Sequence, residues 1–392
     1  MKTKNQITNR ILSLVLALVM VLGMLPMNVL KASAADTSTE SVTIDLATVT
    51  QDILLGENHT YSLDGGATYT EYVGNLTFTG TTAYSIIVND GAGTHDIILD
   101  NVSMSNNNEN GNIKIAAGEV LNLTLKGTNT LTQTGGNLFN CAPAINLGVG
   151  ATLTVTEAST GGLTAQGGYA SPAIGGRWYF TVNIYGGTVN VSPNEITGGG
   201  IGFVYNAANT RPTNIHINNA VVNASGKGGY AAIGGGKEVY TDGSDVNITI
   251  TNSTVTAKVP SNSVAAIGGG TDDKNTYHIK IENSVVSATA GKYYGAAIGV
   301  SRTGTVGNIE IINSVVTAEA GNQAAGIGGG PKANVGNILI QNSTVTATGG
   351  DGAAGIGGGP ENTVSENDKV TIIGSNVHAS GDTGTVRQLY GS

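Results

Sequence analysis

Ala324-Ala325-Gly326-Ile327-Gly328-Gly329-Gly330 recurs unchanged at 353–359, and its central Ile-Gly pair returns at Ile174, Ile201, Ile233, Ile267, Ile298, Ile327 and Ile356. Successive spacings are 27, 32, 34, 31, 29 and 29 residues. Within each unit a second apolar pair follows, from Val182/Ile184 through Ile248/Ile250 and Ile309/Ile311 to Val370/Ile372. A third runs from Val189/Val191 through Val255/Ala257 and Val316/Ala318 to Val377/Ala379. Each segment alternates with period two and is bounded by Gly or Asn, which reads as three short strands per unit. Ankyrin and leucine-rich units have similar lengths, but no helical periodicity occurs here. One unit cannot bury its own apolar face, so successive units must stack. The expectation is an all-β fold, a right-handed parallel β-helix (solenoid) of about ten coils.

Weaker copies of the alternation, at Ile86–Val88, Ile97–Leu99, Ile113–Ile115, Leu121–Leu125, Ala144–Leu147 and Leu153–Val155, carry the solenoid back to about residue 75 or earlier. Residues 36–74 are expected to form an N-terminal cap or irregular first coil, because an open end exposes unpaired strand edges. Asn219, Asn252, Asn283, Asn313 and Asn342 each stand three residues before a third-strand valine, and four of them precede a serine. Asn tolerates the left-handed backbone of a sharp bend, and its amide can bond to the Asn of the next coil. A stacked Asn ladder is therefore expected. Gly374 replaces Asn in the final coil.

The ladder, the three-strand coils and the repeated tag resemble the right-handed parallel β-helix of the pectate-lyase-like superfamily. More narrowly, the chain is similar to non-catalytic carbohydrate-binding β-helix domains and repeat-rich surface proteins of Gram-positive bacteria. Gly-Thr-Asn-Thr-Leu at 127–131 and Gly-Ala-Thr-Leu-Thr-Val at 150–155 have the same character. The resemblance covers about residues 75–380. It specifies a fold, and that fold hosts many functions.

Residues 1–35 read as a signal peptide. Lys2, Lys4 and Arg10 precede an apolar core from Ile11 to Leu25, and Ala32-Ser33-Ala34-Ala35 supplies a small-residue cleavage site. The apolar run is short for a membrane span, so no membrane insertion is expected after cleavage. Cleavage removes four basic residues and no acidic ones, taking the net charge from −9 to about −13. Such a balance disfavours nucleic acid as a partner. Charged residues make up 11% of the chain, against about a quarter ordinarily, and the Ile/Val spacing argues against disorder. The lone Cys141 permits no internal disulfide. A monomer, secreted and extracellular or associated with the cell wall, is expected.

The resemblance implies that enzymes of this superfamily would gather carboxylates on one face, as calcium ligands in lyases or as an acid pair in hydrolases. The outward second-strand positions are Asn183, His216, Thr249, Lys280, Glu310, Leu339 and Thr371. Those of the third strand are Asn190, Asn223, Thr256, Ser287, Thr317, Thr346 and His378. Neighbouring coils set these side chains about 4.8 Å apart. No two acids are adjacent in either column, and Lys280 beside Glu310 reads as a surface ion pair. No catalytic residue is assigned.

Loops beside the tags carry the remaining signal. Trp178, Tyr179, Tyr205, Tyr240 and Tyr277 follow tags, whereas Tyr230, Tyr293 and Tyr294 precede them. Exposed rings at coil spacing could stack on sugars, or they could merely cover the ends of the core. Asp242, Asp245, Asp272 and Asp273 make oxygen-rich loops of a kind that suits calcium, although no established calcium motif is present. The favoured reading is a non-enzymatic binder of extracellular polysaccharide acting in adhesion. Alternatives are a polysaccharide lyase or glycoside hydrolase, or a structural stalk. Ice binding is disfavoured because Thr254/Thr256 and Thr344/Thr346 fit a T-x-T array but Val221/Asn223 does not.

Overall fold

The computed structural model describes residues 41–134, 142–194, 197–203, 211–237, 243–260, 264–362 and 369–382, with the backbone of Leu389–Tyr390. The proposed signal peptide, Cys141, Tyr205, Tyr240 and Asp242 lie outside the described residues.

Period two places every second side chain inside, and parallel pairing then puts equivalent side chains in one column. The tag isoleucines form such a column. Ile53, Ile86, Ile113, Ile145, Ile174, Ile201, Ile233, Ile267, Ile298, Ile327 and Ile356 are registered one on the next. All are buried. Numbering coils by these residues gives coil 1 at Ile53 and coil 11 at Ile356. The tag strands form a 13-stranded sheet, whereas second and third strands share one bent 22-stranded sheet. Burying these columns, at about 1.5–3 kcal/mol per Val, Leu or Ile side chain, is the main stabilising term.

Glycine in the tag has a steric cause. Gly299 has φ 133°, and a Cβ there would collide with the carbonyl oxygen of Gly328 in the next coil. Gly268 meets Gly299 in the same way. Backbone therefore stacks directly on backbone at this edge, leaving no room for a side chain.

The bend between second and third strands is made by one left-handed residue per coil. Asn219, Asn252, Asn283, Asn313 and Asn342 have φ between 48° and 52°, and Gly374 takes the same role at 56°. The expected Asn-to-Asn ladder is not what stacks there, since these side chains are exposed. The following serines turn inward instead. Ala220 N–H donates to Ser253 Oγ, Ser253 N–H to Ser284 Oγ, Ser284 N–H to Ser314 Oγ, Ser314 N–H to Ser343 Oγ and Ser343 N–H to Ser375 Oγ, at 3.0–3.2 Å. Each hydroxyl also donates to the carbonyl two residues earlier, as Ser284 does to Glu282 at 2.7 Å. The αL bend turns this backbone N–H out of the strand ladder, and the serine of the next coil accepts it.

Val42–Asp45 pairs in parallel with Leu76–Thr79, and Ile53–Leu55 with Ile86–Val88, so residues 42–56 supply strands of the first coil. Thr60–Ser62 and Thr70–Glu71 then form an antiparallel hairpin on Ile53–Gly56. This covers one open edge of the tag sheet.

Candidate functional site

The outward columns run as their spacing predicts. Asn183, His216, Thr249, Lys280, Glu310, Leu339 and Thr371 are registered in sequence along the second strands. Asn218, Thr251 and Glu282 form a parallel column two positions on, beside the Asn bends, and Tyr185 follows Ile184 at the same level in the coil below. Between the two columns an open groove of about 470 Å³ is lined by Tyr185, His216, Asn218, Thr249, Thr251 and Glu282, with Asn252 and Asn283 along its rim. It spans coils 5 to 8, three steps of roughly 4.8 Å.

Cross-coil hydrogen bonds hold this floor. Asn218 Oδ1 accepts from Thr251 Oγ1 and from Asn252 Nδ2, both at 3.0 Å. On the same face Asn247 Nδ2 donates to Asn214 Oδ1 at 2.9 Å. Amides thus do ladder in this protein, but along the strand face rather than at the bend. Burial pushes His216 below its ordinary pKa, so its ring is neutral at neutral pH. Among the described residues Glu282 is the groove's one carboxylate, and Lys280 Nζ lies 2.8 Å from its Oε2. The expected Lys280–Glu310 pair is therefore replaced by a pair along one strand, because i and i+2 side chains share a strand face. The groove presents hydroxyls, amides, a neutral imidazole and a half-buried tyrosine ring, with little net charge.

The described loop aromatics do not assemble into one platform. Trp178 is 40% exposed and follows the coil 5 tag, with Arg211 Cζ 5.6 Å over the neighbouring Tyr179 ring. Tyr293 is 46% exposed and precedes the coil 9 tag, its ring 6.5 Å from Tyr294 and 5.5 Å from Lys292 Nζ. These two groups stand on opposite ends of tag strands four coils apart. Tyr230 is buried, and Tyr277 is fully buried.

Tyr277 is registered with Val246 below and Val306 above, so it replaces a core valine. Its hydroxyl donates to Asp273 Oδ2 at 2.5 Å. Asp273, expected in a calcium loop, is buried and also accepts from Asn275 N–H at 3.0 Å and Gly270 N–H at 3.4 Å. Burial, the largest influence, pushes its pKa up despite these donors. Its oxygens are committed to the chain. Asn275, between Asp273 and Tyr277, is 2% exposed and accepts from Ser244 N–H. Asp272 is half-buried with φ 53°, and Asp245 Oδ1 lies 3.7 Å from His278 Nε2. Among the described residues no three His, Cys, Asp or Glu side chains group as metal ligands.

A second pocket, of about 450 Å³, lies beside the N-terminal hairpin and is lined by His59, Glu71, Tyr72 and Asp96, among others. Beneath it the buried His95 donates Nε2–H to the Gly56 carbonyl at 3.0 Å, so Nδ1 accepts the Tyr72 hydroxyl at 2.7 Å. Burial lowers the His95 pKa, and burial together with Asp96 pushes Tyr72 up to about 12. A hairpin, not the repeat, brings this cluster together, so no repeat spacing in the sequence points to it.

The family described as Beta helix repeat matches residues 215–237, 248–271, 309–331 and 338–360. Each match runs from a second-strand apolar pair through the Asn bend and third strand to just beyond the next tag. The chain is a right-handed parallel β-helix. No curated protein and no solved structure matches the β-helix chain. No helix among the described residues is long and apolar enough to cross a membrane.

Proposed function

We propose that this β-helix is a non-enzymatic binder of extracellular polysaccharide, with the groove over coils 5 to 8 as its principal site. One observation carries the reading: neutral hydrogen-bonding side chains repeat along the groove at the coil spacing, from Tyr185 to Thr251, with the Lys280-paired Glu282 at the far end. An extended sugar chain presents a similar repeat of hydroxyls and apolar C–H faces. Amides and hydroxyls match the former, and the Tyr185 ring offers a surface for the latter. The near absence of net charge favours neutral sugars. Glycosidic hydrolysis ordinarily requires two carboxylates flanking the bond, and the described lining of the groove has one, held by Lys280. Trp178 and Tyr293 would extend contact at the loops. The signal-like N-terminus supports export, with adhesion at the surface of a Gram-positive cell as the role. Calcium, if used, would act through Asp245, Asp272 or residues outside the described set.

A hydrolase reading has one observation in its favour, since Glu71 and Asp96 line the N-terminal pocket together with His59. A glycan array run with and without calcium, followed by assay of released reducing or unsaturated ends, separates the two. Binding without product supports the proposal. Product release abolished by Glu71→Gln or Asp96→Asn would replace it with the enzyme.

A further inference from the structure

In coils 4 to 11 the residue before the stacked isoleucine is small and apolar: Ala144, Ala173, Gly200, Ala232, Ala266, Ala297, Gly326 and Gly355. In coils 1 to 3 it is Asp52, Ser85 and Asn112. Two third strands ending at the same corner contribute Asn106 and Gln133, which are registered partners. Ser85, Asn106, Asn112 and Gln133 are 0%, 7%, 0% and 1% exposed. Polar groups are thus concentrated where the rest of the solenoid needs only a methyl group or a hydrogen, and burying them costs stability unless they are paired.

Their nitrogens are paired. Asn106 Nδ2 donates to the Gly111 carbonyl at 3.0 Å and to Ser85 Oγ at 3.2 Å. Asn112 Nδ2 donates to the Thr132 carbonyl at 3.2 Å, and Gln133 Nε2 to the Asn108 carbonyl at 2.6 Å. Each amide nitrogen faces a carbonyl oxygen, so flipping any amide would set oxygen against oxygen. With the orientations fixed, Asn106 Oδ1, Asn112 Oδ1 and Gln133 Oε1 remain buried with no hydrogen-bond partner among the described residues. Asn106 and Gln133 are neighbours across one strand pair, about 4.8 Å apart, and Asn112 bonds to the residue preceding Gln133.

We propose that this corner binds one alkali metal cation through the amide oxygens of Asn106, Asn112 and Gln133. A single water donates two hydrogen bonds and leaves the third oxygen bare, whereas a cation accepts all three oxygens as ligands. The ligand charge selects the class of ion. All three oxygens are neutral, and the nearby Asp52 carboxylate accepts Ser85 N–H at 2.8 Å. Calcium and magnesium sites rely on carboxylates, while neutral carbonyl-type oxygens suit a singly charged ion. Bound there, the ion ties the third strands of coils 2 and 3 to the tag strand of coil 3 and stabilises the N-terminal coils.

Melting the full chain in sodium, potassium and N-methylglucamine chloride at one ionic strength tests this. The expected result is a Tm several degrees higher in one alkali salt, increasing with its concentration and absent in N-methylglucamine. Gln133→Leu should abolish that increment. Crystals grown with rubidium or thallium supply a second readout independent of any variant's folding, with an anomalous peak expected on the three oxygens. Equal melting in all three salts, an increment that survives Gln133→Leu, or ordered waters only at the corner would each overturn the proposal.

Discussion

Ser253 donates its backbone N–H to the hydroxyl of Ser284, one coil away, at 3.1 Å, while the adjacent Asn252 and Asn283 point to solvent. The Asn-Ser dipeptide therefore divides two tasks that the spacing of the asparagines alone would assign to one residue. Asn supplies the left-handed turn, and Ser supplies the ladder.

Ser284→Ala should destabilise by about 1–3 kcal/mol, because it strands the buried N–H of Ser253 and removes the hydroxyl bond to Glu282. Asn283→Gly should be nearly neutral, because glycine reaches φ 50° without strain. Asn283→Ala should cost on the order of 1–2 kcal/mol through backbone strain alone. Urea unfolding of the three variants gives the order. A larger loss for Asn283→Gly than for Ser284→Ala would return the ladder to asparagine.

The buried Asp273 gives a stability effect with a definite sign. Its folded pKa is raised above 3.8, so the folded state holds the proton more tightly than the unfolded chain. Its contribution to stability is fully present in acid and is lost as pH rises from the unfolded value through the folded one. Asp273→Asn resembles the protonated acid and should flatten this part of the profile. Tyr277→Phe removes the hydroxyl donor and should steepen the loss. Melting temperatures of parent and variants across a pH series check both, and parallel curves would contradict the assignment.

His95 acts in the opposite direction. Burial depresses its folded pKa, so the stability it contributes is present above 6.5 and is lost as pH falls from there through the folded value. Protonation puts a hydrogen on Nδ1, where the Tyr72 hydroxyl now donates. Amide exchange in the hairpin, read at the Tyr72 N–H bonded to the His59 carbonyl, should accelerate on acidification while coils 5 to 9 remain protected. Uniform acceleration along the solenoid would point to another titrating group.

What could be read from the chain follows the register. Parallel stacking repeats one position per coil, so the isoleucine column and both outward columns were legible as spacing. Tyr277 and Asn275 were legible too, had period two been followed two steps further. Asn275, Tyr277, Ile279 and Ile281 alternate onto one buried face. The coil above hides the alternation with a register shift, Gly307 intervening between Val306 and Asn308. The groove was half legible. His216 and Thr249 were in a known outward column, but the pairing of Lys280 with Glu282 requires side-chain geometry. The His95–Tyr72 contact arises from a hairpin outside the repeat, and no spacing encodes it.

Titration calorimetry of a neutral extracellular polysaccharide, selected on the array, against parent, Tyr185→Ala and Asn218→Ala tests the central claim most directly. The account predicts saturable binding by the parent, roughly tenfold weaker binding by each variant, corresponding to about 1.4 kcal/mol, and an unchanged melting temperature for Tyr185→Ala. Binding that is indifferent to both substitutions, or lost only with Trp178→Ala or Tyr293→Ala, would contradict it.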